Sequence, residues 1–123
     1  MEFTSPEILD WLEQADDEAL DALAFGVVRM NEQGQATRYN AFESRQAGLR
    51  RTEVLDQFFF EQIAPCMNNL MVAGRYVESR QTKASLDTVI DYVIAFRSAV
   101  TPVKLRLLYS PNVASQYLLI HRL

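Results

Sequence analysis

The sequence predicts an α+β fold: an antiparallel sheet of about five strands, helices gathered on one side, and a helical cap at the N-terminus. Three observations carry this reading. Residues 24–40 follow a strand–turn–strand pattern, residues 41–81 read as short helices joined by loops, and residues 86–123 return to apolar alternation at period two. Two strands, a helical crossover and three strands thus follow in order, with no repeats, low-complexity stretches or linkers. At 123 residues, 49% hydrophobic and 23% charged, the chain has the length and composition of one globular core. The expected organisation is a cap over residues 1–22 and a core over 23–123, forming one structural domain.

The cap is predicted to be helical over residues 4–22. Thr4 or Ser5 can accept from free amides at the helix start, Pro6 fits the first turn, and Glu7 lies three after Thr4. Ile8, Leu9, Trp11 and Leu12 recur on one face, and Asp16 or Asp17 can cap a second short helix bearing Leu20 and Leu23. Neither piece can stand alone, so both are expected to pack on something larger. Ala24 to Met30 suits a pleated surface, Asn31-Glu32-Gln33-Gly34 supplies turn chemistry, and Gln35 to Asn40 returns as the second strand.

In the crossover, Thr52 is the expected cap of a helix over Glu53–Gln57. The longest helix is expected from Asn68 or Asn69 through Leu70, Val72, Ala73, Tyr76 and Val77. Leu86, Thr88, Ile90, Tyr92, Ile94 and Phe96 then alternate at period two. Val103, Leu105 and Leu107 do the same against Lys104, Arg106 and Leu108. Pro102 and Ser110-Pro111 punctuate these strands, and Gln116–Leu123 closes the sheet.

Charge and composition narrow the function. Net charge is -4, with Glu2, Glu7, Asp10, Glu13, Asp16, Asp17, Glu18 and Asp21 crowded at the N-terminus. Nucleic acid needs a basic face and is an unexpected partner. One cysteine cannot form an internal disulfide, no run has the length of a membrane span, and the N-terminus lacks a signal pattern; a cytoplasmic protein is expected. One histidine, His121, cannot build a metal site, and no Ser-His-Asp or Gly-rich phosphate pattern is present.

The residues that carry chemistry are Cys66 in Ala64-Pro65-Cys66, after the aromatic run Phe58-Phe59-Phe60, and the pair Tyr39 and Glu43 spaced i, i+4. A thiol, a phenol and a carboxyl can together hold a covalently attached anionic ligand. A buried phenolate needs donors to replace its lost water. Glutamate beside such an anion has its pKa raised and can stay protonated as a donor, and tyrosine already carries its proton. The spacing is expected to place both on one side of a helical turn. A loop running into a helix N-terminus would favour the thiolate of Cys66. The bland alternatives are packing for Cys66, plain core for Phe58–Phe60, and a solvated face for Arg45, Arg50 and Arg51.

The order hairpin, helical crossover, three-strand meander resembles the PAS-type topology. Within it, several blocks resemble the photoactive yellow protein family: Leu20-Asp21-Ala22-Leu23-Ala24-Phe25-Gly26, Tyr39-Asn40-Ala41, Phe59-Phe60 leading to Ile63-Ala64-Pro65-Cys66, Thr101-Pro102-Val103-Lys104, and Tyr117, Leu119, Ile120 and Arg122 of the closing strand. The resemblance implies a blue-light photoreceptor in which Cys66 carries p-coumaric acid as a thioester and Tyr39 and Glu43 hydrogen-bond its phenolate oxygen. Light would isomerise the chromophore and release the N-terminal cap toward a downstream signalling protein, in a monomer or weak homodimer. Val28, Ala41, Phe42, Ile63, Ala64 and Phe96 match pocket positions.

The sequence departs from the family pattern at a supporting threonine (Ala47 here), a shielding arginine (Leu49), a methionine that assists dark return (Val100) and two tyrosines (Ile94 and Ser98). The segment between Cys66 and Pro102 is a few residues longer. Two readings compete with the photoreceptor: a thiol-dependent enzyme on thioester-linked or aromatic acyl substrates, with Cys66 as nucleophile and Tyr39 or Glu43 as acid/base, and a PAS-like sensor or dimerisation module without a chromophore.

Overall fold

The structure is a computed structural model describing residues 1–96 and 99–123, the side chain of Phe96 excepted. Helices α1 (Ile8–Gln14) and α2 (Asp17–Asp21) precede the hairpin β1 (Gly26–Asn31) and β2 (Ala36–Tyr39). The crossover follows as α3 (Ala41–Ala47), α4 (Arg51–Val54), a π-helical turn (Phe59–Ile63), a 3-10 turn (Pro65–Met67) and α5 (Ala73–Thr82). Strands β3 (Leu86–Phe96), β4 (Ala99–Tyr109) and β5 (Ser115–Arg122) complete an antiparallel five-stranded sheet in the order β2-β1-β5-β4-β3. The α+β, PAS-type architecture is the one predicted.

Local chemistry explains the turns. Asn31 Oδ1 accepts from the amides of Gln33 and Gln35, and Gly34 takes a φ of +91° that a side chain would oppose. Asp16 caps α2 by accepting from the Ala19 amide at 2.8 Å. Asn40 caps α3 and does more, since it is buried and uses every polar atom of its amide. Its Oδ1 accepts from Val27 N and Glu43 N, while its Nδ2 donates to the carbonyls of Leu20 and Phe25. One side chain thus ties the cap, the first strand and the start of α3 together.

Four boundaries differ from expectation for identifiable reasons. The first helix begins at Ile8, because Ser5 Oγ accepts from Glu2 N and closes a separate turn ahead of it. In α4 the start is held by Glu53 reaching back to Arg50 N at 2.9 Å, which leaves Thr52 inside the helix. Asn69 does act as a cap-like acceptor, from Met71 N and Val72 N, but the turn it closes precedes α5, which starts at Ala73. Tyr39 and Glu43 do not share a helical turn: Tyr39 ends β2 and Glu43 lies in the first turn of α3. Arg51 also departs from the solvated face, binding Tyr39 O and Asp21 Oδ1, each at 2.8 Å.

Alternation along the strands divides the core in two. One face packs under the crossover through Val28, Met30, Val54, Phe59, Tyr76, Leu105 and Leu118. On the opposite face the cap seats Phe3, Ile8, Leu12, Leu20 and Leu23 on Val27, Leu108, Tyr117 and Leu119. Each such aliphatic side chain contributes roughly 1.5–3 kcal/mol on burial.

Candidate functional site

Between the crossover and the sheet lies a cavity of about 350 Å³, within the size range of small-molecule sites. Its walls are largely apolar, with Leu49, Phe59, Ile63, Ile94 and Ile120 among them. Three chemically distinct groups face the same space: the Cys66 thiol, the Tyr39 phenol, and the paired side chains of Glu43 and Arg122.

The 3-10 turn presents Cys66, half-buried, as its middle residue. This turn is fastened from the sheet, because the Cys66 carbonyl accepts from Tyr92 Oη and from Asn69 Nδ2, and Asn69 Nδ2 also reaches Tyr92 Oη at 2.7 Å. Cys66 stands well ahead of α5, so a long-helix N-terminus is not what positions it.

Tyr39 is 3% exposed, and its hydroxyl has no hydrogen-bond partner among the described residues. Burial, reinforced by the charge of Glu43, raises its pKa far above the usual phenol value. It therefore keeps its proton and presents an unused donor to the cavity.

Glu43 is 4% exposed and was expected as a neutral donor. The structure gives it a partner that the sequence did not show. Its carboxylate accepts two hydrogen bonds from the Arg122 guanidinium, Oε1 from Nη1 at 2.6 Å and Oε2 from Nη2 at 2.9 Å. Its pKa is raised on balance: burial pushes it up, and the Arg122 hydrogen bonds and charge offset only part of that rise. Gly26 makes room for this pair, since a Cβ there would overlap Glu43 Oε1.

Of the residues singled out from sequence, Tyr39, Glu43, Ala47, Leu49, Ile63, Ala64, Cys66 and Ile94 line the cavity. Val28 is buried in the adjoining core without forming its wall, and Ala41 and Phe42 stand outside the lining. Val100 is 72% exposed: its neighbours Ala99 and Thr101 face the cavity, so strand alternation turns it outward. A methionine at this position would not reach the site. Ser98 and the Phe96 side chain lie outside the described residues.

Sequence reasoning missed two participants. Arg122 meets Glu43 across 79 residues of chain, a contact visible in sequence only through β5 alternation, which puts Leu118, Ile120 and Arg122 on one face. Tyr92, on the inward face of β3, supplies a tyrosine beside the cysteine turn.

Comparison with known proteins fits this geometry. The chain is 31% identical over 105 residues to the photoactive yellow protein of Halochromatium salexigens, covering 85% of this chain and 83% of that one. It belongs to the photoactive yellow protein family. The photoactive yellow protein domain of the sensor histidine kinase Ppr from Rhodospirillum centenum superposes with a TM-score of 0.83 at 26% identity, covering 91% of this chain and 97% of that domain. A PAS domain of an HTR-like protein from Haloarcula marismortui shares the fold alone, with a TM-score of 0.63 at 14% identity over 95% and 98% of the two chains. No family model matches the chain. Among the described residues of this photoactive yellow protein family member, no cluster suits a metal ion and no helix is long and apolar enough to cross a membrane.

Proposed function

We propose that this protein is a photoreceptor that carries p-coumaric acid as a thioester on Cys66 and signals by loosening its N-terminal cap toward a protein partner. The observation that supports this best is the meeting of the chain's one thiol with an unpartnered, proton-bearing Tyr39 hydroxyl in one largely apolar cavity. These residues fit the group: a thiol to anchor the acyl carbon, aromatic and aliphatic walls for a ring, and a donor for its oxygen. Bound there, p-coumaric acid supplies a double bond that isomerises on absorbing light.

The chain's own residues supply the rest. Cys66 fixes the carbonyl end, with its own backbone held by Tyr92 and Asn69. Tyr39 orients the hydroxyl end as a donor. β5 links the cavity to the cap, because Ile120 and Arg122 face the cavity while the intervening His121 packs on Phe3, ring centroids 5.4 Å apart. A disturbance at Arg122 therefore reaches the cap through one strand. No observation favours the enzyme reading: His121, the only histidine, lies on the cap face, and Glu43 is engaged by Arg122.

The test is intact-mass spectrometry after supplying activated p-coumarate, followed by absorption in the dark and under illumination. One acyl adduct is expected, absent in Cys66→Ser, with a spectrum that changes reversibly in light. An unmodified wild-type mass, under conditions that load an established relative, would overturn the proposal.

A further inference from the structure

On the cap side of the sheet lies a second recess, a groove of about 540 Å³ open to solvent. Phe3 from the chain start, Trp11 from α1, Leu23 and Phe25 from the segment entering β1, and His121 of β5 meet in it. Phe3 and Phe25 make a fixed floor: both are buried, with their rings edge to face and centroids 5.9 Å apart. Above that floor Met1, Ala22 and Ala24 are exposed, and no described residue closes the groove. Apolar surface gathered inside a charged rim marks a place where another molecule docks.

The rim states what that molecule carries. Residues 1–28 are rich in acidic side chains and contain no lysine or arginine. Part of this charge is neutralised within the fold, Glu13 by Arg29, Asp17 by Arg38 and Asp21 by Arg51. Glu2, Glu7 and Glu18 are exposed and have no ion-pair partner among the described residues. Glu2 lines the groove itself. Glu7 stands four residues before Trp11, and Glu18 four before Ala22, whose amide donates to the Glu18 carbonyl. That spacing puts each carboxylate one turn from a lining residue. We propose that the groove docks a basic amphipathic helix of a partner protein, its apolar face on Trp11 and Phe3 and its cations against Glu2, Glu7 and Glu18. Carboxylates from three separate segments suit charges repeated along a helix. A second copy of this chain is disfavoured, because two such grooves face to face bring like charges together. The groove is whole only while the cap is seated on Phe25 and His121, so an occupant holds the cap closed.

The test uses the unloaded protein and a tryptophan-free amphipathic helical peptide of leucine and lysine, with a leucine and glutamate peptide of the same pattern beside it. Trp11 is the chain's only tryptophan, so its emission reports this groove alone. A saturable shift to shorter wavelength is expected with the lysine peptide and none with the glutamate peptide. Glu2→Lys with Glu18→Lys should weaken binding by roughly tenfold or more, and added salt should also weaken wild-type binding. Glu61→Lys with Glu78→Lys alters two exposed acids of the crossover, changes the net charge equally, and should leave the affinity within about twofold. Amide exchange over residues 8–21 should slow on saturation, a readout that needs no variant to fold. Binding without a Trp11 shift, equal affinity for the two peptides, equal weakening by the two charge-reversed pairs, or unchanged exchange over residues 8–21 would overturn the proposal. Self-association of the protein that Trp11→Ala abolishes would overturn it as well, by making the occupant a second copy.

Discussion

The two faces of the sheet are cut from the same strands but filled differently. On the cap face, Phe3, Ile8, Leu12, Leu20 and Leu23 close the space over Leu108, Tyr117 and Leu119. The cap is also fastened by polar side chains of the sheet: Arg106 donates to the carbonyls of Phe3 and Ser5 and pairs with Asp87, and Arg38 donates to the Ala15 carbonyl. On the crossover face, comparable apolar side chains stop short of one another, leaving the cavity that holds Tyr39, Glu43, Arg122 and Cys66. The contrast teaches that packing on one face serves attachment and incomplete packing on the other serves a ligand. β5 belongs to both faces, with Tyr117, Leu119 and His121 toward the cap and Leu118, Ile120 and Arg122 toward the cavity.

The strongest way to break the division is to remove the residue that bridges it. Asn40→Ala strands two buried carbonyls and two amides, and each stranded group costs ~1–3 kcal/mol where water cannot replace the bond. A loss of roughly 4 kcal/mol is expected from urea unfolding, with Asn40→Asp less damaging because it keeps the acceptor. A loss below about 1 kcal/mol would show that the cap is not tied through this amide.

A paired truncation sharpens the same comparison. Leu12 is fully buried on the cap face, so Leu12→Ala should cost about 3 kcal/mol. Leu49 borders the cavity and is only partly buried, so Leu49→Ala should cost under about 1 kcal/mol. Thermal melts of both variants check this. Equal losses would mean that the cavity wall is packed as tightly as the cap.

Much of this architecture was legible in sequence. The hairpin signal Asn31-Glu32-Gln33-Gly34, the cap at Asp16 and the period-two runs of β3 and β4 are local, set by turn chemistry and pleat, and appear where expected. The cavity wall was legible in part, because Ile63, Ala64 and Cys66 lie close in sequence and Tyr39 and Glu43 flank one cap residue. What escaped was long-range or subtle. Arg122 meets Glu43 only once the sheet has closed, Asn40 makes four contacts that no local pattern announces, and Val100 turns outward because register assigns Ala99 and Thr101 to the cavity.

The smallest effect is a pH slope. Burial raises the pKa of Tyr39 on the cavity face and of Tyr117 on the cap face, where the hydroxyl also donates to Glu13. In the unfolded chain a phenol releases its proton near pH 10. The folded protein holds these protons longer, so their stabilising contribution is fully present below about pH 10 and is lost as pH rises toward the raised folded values. Tyr39→Phe and Tyr117→Phe should each flatten the alkaline loss of stability by up to ~1.4 kcal/mol per pH unit. Denaturant midpoints at several alkaline pH values measure this, and unchanged slopes in both variants would contradict it.

The most direct test of the central claim, that events in the cavity reach the cap through β5, is amide hydrogen exchange on the pigment-loaded protein in darkness and under illumination. The account predicts faster exchange in the light for residues 8–21 and for their Asn40 and β5 contacts, reverting in the dark, with α5 unchanged. Identical exchange in the two conditions, or loosening spread evenly over the sheet, would contradict it.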